Sequence, residues 1–283
     1  MRRTLSSTAG AALLLLTALT ACNTASNGQQ SARDCTAAHP GISTVRPGSL
    51  TVATYNFPPF LVVDGTSVSG IEGEILRNIA EMECLTLMSQ PLDTASVIPA
   101  TQNGRADVSA GDWYCTTARA QVLSLAGPVF SDQIVIVSND GATTFDELQG
   151  RSIGTVDGYM WNEELQKMFG PRLRIYPNPT AVYNDLESGR LDSAIDSIGT
   201  ASFAKKQKNA NWTIERPAPD SRVASSEVPG QVCFPMSMNN PSLFTAVSED
   251  IVTLRNNGTI ARILEDNGLN PSAADPGPLK LIG

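Results

Sequence analysis

The sequence is poor in histidine: His39 is the only one among 283 residues. A second imidazole is therefore missing, and His39 lies far from the rest of the chemistry. This argues against hydrolysis by a Ser–His–Asp or Cys–His group. Long apolar runs are also missing. No segment reaches the ~20 residues that a membrane-spanning helix needs. Basic blocks are absent too. Lys205, Lys206 and Lys208 form one small cluster, read as a solvated helix end, in a chain of net charge −8. That balance argues against nucleic acid as a partner. The cysteine spacings match no zinc motif, and neither a metal nor a cofactor is expected.

At the start stand Met1-Arg2-Arg3 and an apolar run from Ala11 to Ala21. A positive start followed by a short apolar region is the layout of a secretory signal. The run would make a helix of roughly 16 Å, too short for a bilayer core of ~30 Å. Leu19-Thr20-Ala21-Cys22 resembles a bacterial lipobox. That resemblance implies a signal peptide over residues 1–21 and a lipid on Cys22, holding the chain on the outer face of a membrane. The alternative is an ordinary cleavage site and a soluble secreted protein. Export permits disulfides, and Cys35, Cys84, Cys115 and Cys233 allow three pairings.

Residues 23–34 are rich in Ser, Asn, Gln and Gly and read as flexible, so a tether is expected over 22–48. Order is expected from Ser49, where Ser-Leu-Thr-Val-Ala-Thr alternates like a strand. Ile71, Ile75, Leu76, Ile79 and Met82 then fall at helical spacing. Helix and strand alternate thereafter, which argues an α/β fold. Two stretches echo each other: Val97 to Val108 and Tyr183 to Ala194 both read as helix, glycine, then strand. Gly104 and Gly189 stand just past the helix ends, where a left-handed conformation suits glycine. Two units built alike suggest two lobes, although the connection is common enough to occur twice in one domain.

The ordered motifs resemble the family 3 extracellular solute-binding proteins, the amino-acid-binding type that serves ABC importers. The resemblance rests on Phe57-Pro58-Pro59-Phe60, Gly70-Ile71-Glu72-Gly73, Val97-Ile98-Pro99-Ala100, Thr116-Thr117-Ala118-Arg119, the run Phe145 to Val156, and Gly258 to Leu264. It implies a two-lobed type II periplasmic-binding-protein fold, each lobe a mostly parallel sheet flanked by helices, joined by two hinge strands. Lobe I would hold 49–137 and 224–283, and lobe II would hold 138–223. A ligand would sit in the cleft and be buried as the lobes close. It also implies a permease as partner and a monomeric chain. Two other classes stay open: a ligand-sensing ectodomain partner, and a dehydratase-like enzyme using a pocket acid such as Glu72 or Asp196.

The resemblance further assigns candidate site residues. Arg119 would clamp a ligand carboxylate through two parallel donors. Asp196 would meet an ammonium, although it arrives one residue early after Gly189-Arg190. A one-residue shift turns a strand side chain to the opposite face. Phe57 would be the aromatic platform, with Tyr55 as second choice. Glu72 would touch a ligand amine or cap its helix, and Thr117 belongs to the carboxylate turn. That turn is one residue longer than the family's, and Tyr114 stands where a threonine is usual. Trp113 or Tyr114 would replace a ring missing near Thr94, and Asp112 would add negative charge. Tyr159 and Trp161 replace small residues in lobe II. Such a pocket suits a cationic or bulky ligand. The expected disulfides are Cys115–Cys233 near the hinge and Cys35–Cys84 at the tether.

Overall fold

The computed structural model describes residues 35–283; the expected signal peptide, Cys22 and the expected tether as far as residue 34 lie outside them. Two five-stranded sheets organise the chain. In the first, Ser49–Thr54 lies between Thr86–Pro91 and Val108–Ser109, parallel to both. Phe234–Met236 follows, antiparallel to Val108–Ser109 and to Ser124–Ala126. In the second, Ile153–Val156 pairs parallel with Leu173–Tyr176 and Ser193–Ser197. Ile134–Ser138 then runs antiparallel to Ser193–Ser197 and to Thr213–Glu215. The βα units thus supply parallel strands, and the segments that cross between sheets enter antiparallel. The crossing is a short antiparallel ladder, Ser131–Asp132 against Gly230–Gln231.

Two expected boundaries shift. Residues 134–137, which the family resemblance puts in lobe I, belong to the strand Ile134–Ser138, and that strand pairs entirely within the second sheet. Its alternate residues Val135 and Val137 pack with Val182, Leu186, Ala194 and Trp212, so this face belongs to the second core. The expected tether also ends too late. Between 36 and 48 the chain is held on the first lobe: Ala38 N–H donates to Met82 O (3.0 Å), and Asp107 accepts from Val45 N–H (2.8 Å).

The helix Ile71–Met82 shows how sequence becomes position. Ile71, Ile75, Leu76 and Ile79 are fully buried, each contributing ~1.5–3 kcal/mol of transfer free energy. Its first N–H groups donate to Pro59 O and Phe60 O, satisfying orphan donors with the preceding turn. Gly70 makes this possible: φ is +85°, and a Cβ there would lie 2.6 Å from Pro59 O. The helix start thereby fixes Glu72 and the Phe57–Phe60 turn together. Gly104 and Gly189 are left-handed at φ +66° and +72°, ending the two echoed helices before their strands. No described helix is long and apolar enough to cross a membrane.

Candidate functional site

A cavity of about 180 Å³ opens between the two sheets. The first lobe contributes Tyr55, Asn56, Phe57, Thr94, Gly111, Asp112, Trp113, Tyr114 and Arg119. Val156 to Trp161, Pro177 to Pro179 and Ser197 face them from the second. Seven of the ten residues expected to contact a ligand line it: Phe57, Asp112, Trp113, Tyr114, Arg119, Tyr159 and Trp161. Glu72, Thr117 and Asp196 are not among the lining residues.

The turn 111–115 is built by its neighbours. Glu72, fully buried, accepts from Gly111 N–H (2.5 Å) and Asp112 N–H (2.7 Å). It therefore holds the turn from behind. Burial pushes its carboxyl up to about 7, against the two backbone donors. Tyr55 donates to Gly111 O at 2.9 Å, and its ring lies so close that a Cβ on Gly111 would fall 2.2 Å from it. Behind the turn, Cys115 is bonded to Cys233 with the Cα atoms 5.3 Å apart. Cys115 N–H donates to Gln231 O (2.8 Å) and Cys233 N–H to Trp113 O (2.9 Å), so the turn is zipped to the returning hinge strand. Cys35 and Cys84 are each disulfide-bonded as well.

Thr116 caps the one-turn helix Thr117–Ala120, and its hydroxyl accepts from Arg119 N–H. The cap aims Arg119 across the turn. Its Nη1 donates to Tyr114 O (2.6 Å), and its guanidinium carbon lies 4.9 Å from the Trp113 ring centroid. No described salt bridge involves it, and burial lowers its pKa. Thr117 itself is exposed, and its N–H donates to Ile282 O (3.1 Å).

The aromatic lining is continuous. Tyr55 stacks near Phe57 (5.4 Å between centroids), and Tyr159 meets Trp161 edge-on at 4.9 Å. Trp161 Nε1–H donates to Thr155 Oγ1 (3.1 Å), which orients the ring. Tyr114 reaches across, 6.4 Å from Trp161, and donates to Asp132 Oδ2 (3.1 Å).

Acids cluster behind these rings. Asp112, on the cavity wall, adopts φ +57°, and burial followed by the Asp132 charge drives its carboxyl well up. Asp132 on the crossing strand is also raised, chiefly by burial. One buried oxygen of each, Oδ1, has no hydrogen-bond partner. Asp132 escaped the sequence reading because it sits in a two-residue strand with no motif around it. Asp196 is fully buried; its Oδ1 accepts from Tyr159 Oη (2.8 Å) and Ser197 N–H (2.7 Å). Burial raises it to about 7. The cavity at that strand end meets Ser197, which also caps the helix Ile198–Lys208. Met160, between Tyr159 and Trp161, lines the cavity with them; Asn56, Asp157 and Asn178 line it too, and no sequence signal singled these three out.

Residues 50–269 match the profile of the bacterial extracellular solute-binding proteins, family 3. The chain belongs to that family. A probable histidine-binding protein of Neisseria gonorrhoeae is 28% identical over 159 residues, 53% of this chain and 59% of that protein. The match therefore spans less than two thirds of that relative. The L-cystine-binding protein TcyJ of Escherichia coli K12 is 24% identical over 216 residues, 74% of this chain and 78% of that protein. Among solved structures, an ancestral arginine-binding protein bound to arginine superposes with a TM-score of 0.65 at 22% identity, covering 78% of this chain and 98% of its own. That likeness carries the fold, a two-lobed type II periplasmic-binding-protein fold. Family 3 proteins bind solutes outside the cytoplasm, and amino-acid binding is the activity of this chain's relatives.

Proposed function

We propose that the chain is the lipid-anchored, extracytoplasmic binding protein of an ABC importer, and that it takes an α-amino acid with a cationic or bulky side chain into the interlobe cleft. The observation that carries the ligand class is Arg119: a guanidinium on the cavity wall, resting on Trp113 and joined to no described acid. It is a ready carboxylate clamp. The opposite charge of such a ligand is answered by Asp112, whose buried Oδ1 lacks a partner and which Asp132 backs. The rings of Phe57, Tyr159 and Trp161 supply the apolar walls. A cavity of about 180 Å³ lies below the ~300–1,000 Å³ of drug-sized sites and suits a molecule of amino-acid size.

The lipobox-like Leu19-Thr20-Ala21-Cys22 supports the anchored part of this reading, since a lipid on Cys22 would keep a ligand carrier near its permease. Mass spectrometry of ligand released from purified protein identifies the solute, and calorimetry against the twenty amino acids and several polyamines ranks it. Arg119→Ala should weaken binding about 10–100-fold, the loss of a charge-assisted pair. Unchanged affinity would remove Arg119 from the site, and tight binding of glutamate alone would overturn the cationic ligand class.

A further inference from the structure

The chain's only histidine lies outside the cleft, in the segment that precedes the first strand. Three carboxylates surround it. Glu83 ends the helix Ile71–Met82; Glu249 and Asp250 are consecutive in the helix Pro241–Asn256. His39 Nδ1 lies 2.5 Å from Glu83 Oε1 and 3.8 Å from Asp250 Oδ1. Its Nε2 lies 2.9 Å from Glu249 Oε2, and its backbone N–H donates to Glu83 Oε2 at 3.1 Å. One ligand atom each from His39, Glu83 and Asp250 fall within 4.8 Å of one another.

Asp250 makes the cluster unusual. It is 0% exposed, yet neither carboxylate oxygen has a hydrogen-bond partner. Glu83 is 3% exposed. A buried carboxylate without a partner costs several kcal/mol and calls for a cation. The imidazole is shared among three acids: its nitrogens face Glu83 and Glu249, and Asp250 Oδ1 stands 3.8 Å from Nδ1, beyond hydrogen-bond reach.

We propose that His39, Glu83 and Asp250 bind a divalent first-row transition ion of the Zn²⁺ type. Tetrahedral donors at ~2.0–2.2 Å from such an ion stand roughly 3.3–3.6 Å apart. The present separations of 2.5 and 3.8 Å from Nδ1 bracket that distance, so small side-chain rotations suffice. With Nδ1 on the ion, Nε2–H still donates to Glu249, the carboxylate–histidine arrangement that orients a metal-bound imidazole. Glu83 bonds the ion through Oε1 while Oε2 keeps the His39 N–H. A nitrogen with two carboxylates suits zinc or manganese better than Ca²⁺, which takes oxygen ligands. The ion would staple the segment 36–48 to two helices of the first lobe, remote from the ligand cleft.

Full-length chain freed of metal with a chelator and titrated with ZnCl₂ tests this. Calorimetry should show one saturable site, and thermal denaturation should shift upward with zinc. His39→Asn and Asp250→Asn should each weaken zinc binding at least about tenfold, and Glu249→Gln by about 10–100-fold through lost orientation of the ring. His39 is on a surface segment, so its variant decides the matter should Asp250→Asn fail to fold. Absence of saturable binding below about 100 µM zinc, or affinity unchanged in His39→Asn, overturns the proposal.

Discussion

The Tyr159 hydroxyl donates to Asp196 Oδ1 at 2.8 Å, so the cleft meets the phenol and the acid lies one layer behind. Asp112, in contrast, is on the cavity wall, although each acid keeps one buried oxygen without a partner. The two acids should therefore respond differently to neutralisation. Asp112→Asn should cost about tenfold or more in affinity for a cationic ligand, the scale of one charged hydrogen bond. Asp196→Asn should change affinity by less than about threefold and act on stability instead, because it alters buried bonds to Tyr159 and Ser197 N–H behind the cleft. Calorimetry on both variants checks this; the reverse order would return the ammonium contact to Asp196.

The position of Asp196 shows what a sequence can and cannot place. The glycines at 104 and 189 announce themselves, because a left-handed residue after a helix favours one amino acid. The alternation that starts at Ser49 announces its strand for a similar reason: one period, one face. The facing of Asp196 depends instead on where a five-residue strand begins, and one residue of offset hands the cavity to Ser197. Asp132 depends on a crossing ladder of two residue pairs, too short for any periodicity. His39, Glu83 and Asp250 come from separate parts of the chain, and only the packing of two helices against the segment 36–48 joins them.

Stability should fall as pH rises from about 5 to about 9. Burial holds Glu72 and Asp196 at about 7 in the folded chain. Unfolded carboxyls titrate near ~4, so the folded state binds more protons between those values. Stability from both groups is full below the unfolded pKa and lost as pH climbs toward 7. His39, raised from 6.5 to about 9 chiefly by its hydrogen bond to Glu83, is full below 6.5 and lost through 9. Asp220, held near 2 by Arg222, acts in the opposite sense only in strong acid. Thermal denaturation at metal-free conditions should show a falling midpoint over this range. His39→Gln should flatten the limb above about 6.5.

The disulfide between Cys115 and Cys233 closes a separation of 118 residues and lies directly behind the cleft turn. Replacing both cysteines by serine should cost about 3–5 kcal/mol, the chain-entropy scale for a loop of that length. It should also weaken ligand binding, because the bonds Cys115 N–H to Gln231 O and Cys233 N–H to Trp113 O hold the turn that carries Trp113 and Tyr114. Denaturant unfolding gives the first quantity and calorimetry the second. Full affinity in a destabilised double variant would mean that the backbone ladder alone shapes the turn.

Gly199 offers a test of closure that leaves the cavity wall untouched. It lies in the helix Ile198–Lys208 of the second lobe, and a Cβ there would stand 2.4 Å from Phe60 Cζ on the first lobe. Phe60 has nowhere to go: it is fully buried, stacked on Phe57 at 5.7 Å and on Phe130 at 5.9 Å. Overpacking of this kind costs ~1–3 kcal/mol when the surroundings must yield. The cheaper response is for the lobes to stay apart, since they meet across a short crossing ladder and each keeps its own sheet. Gly199→Ala should therefore weaken ligand binding by about 5–100-fold, the free energy of holding the cleft open. Its thermal midpoint without ligand should barely move. Small-angle scattering checks the mechanism: ligand should contract the parent chain and leave the variant extended. Equal contraction in both would show that Phe60 yields and that closure does not depend on this contact.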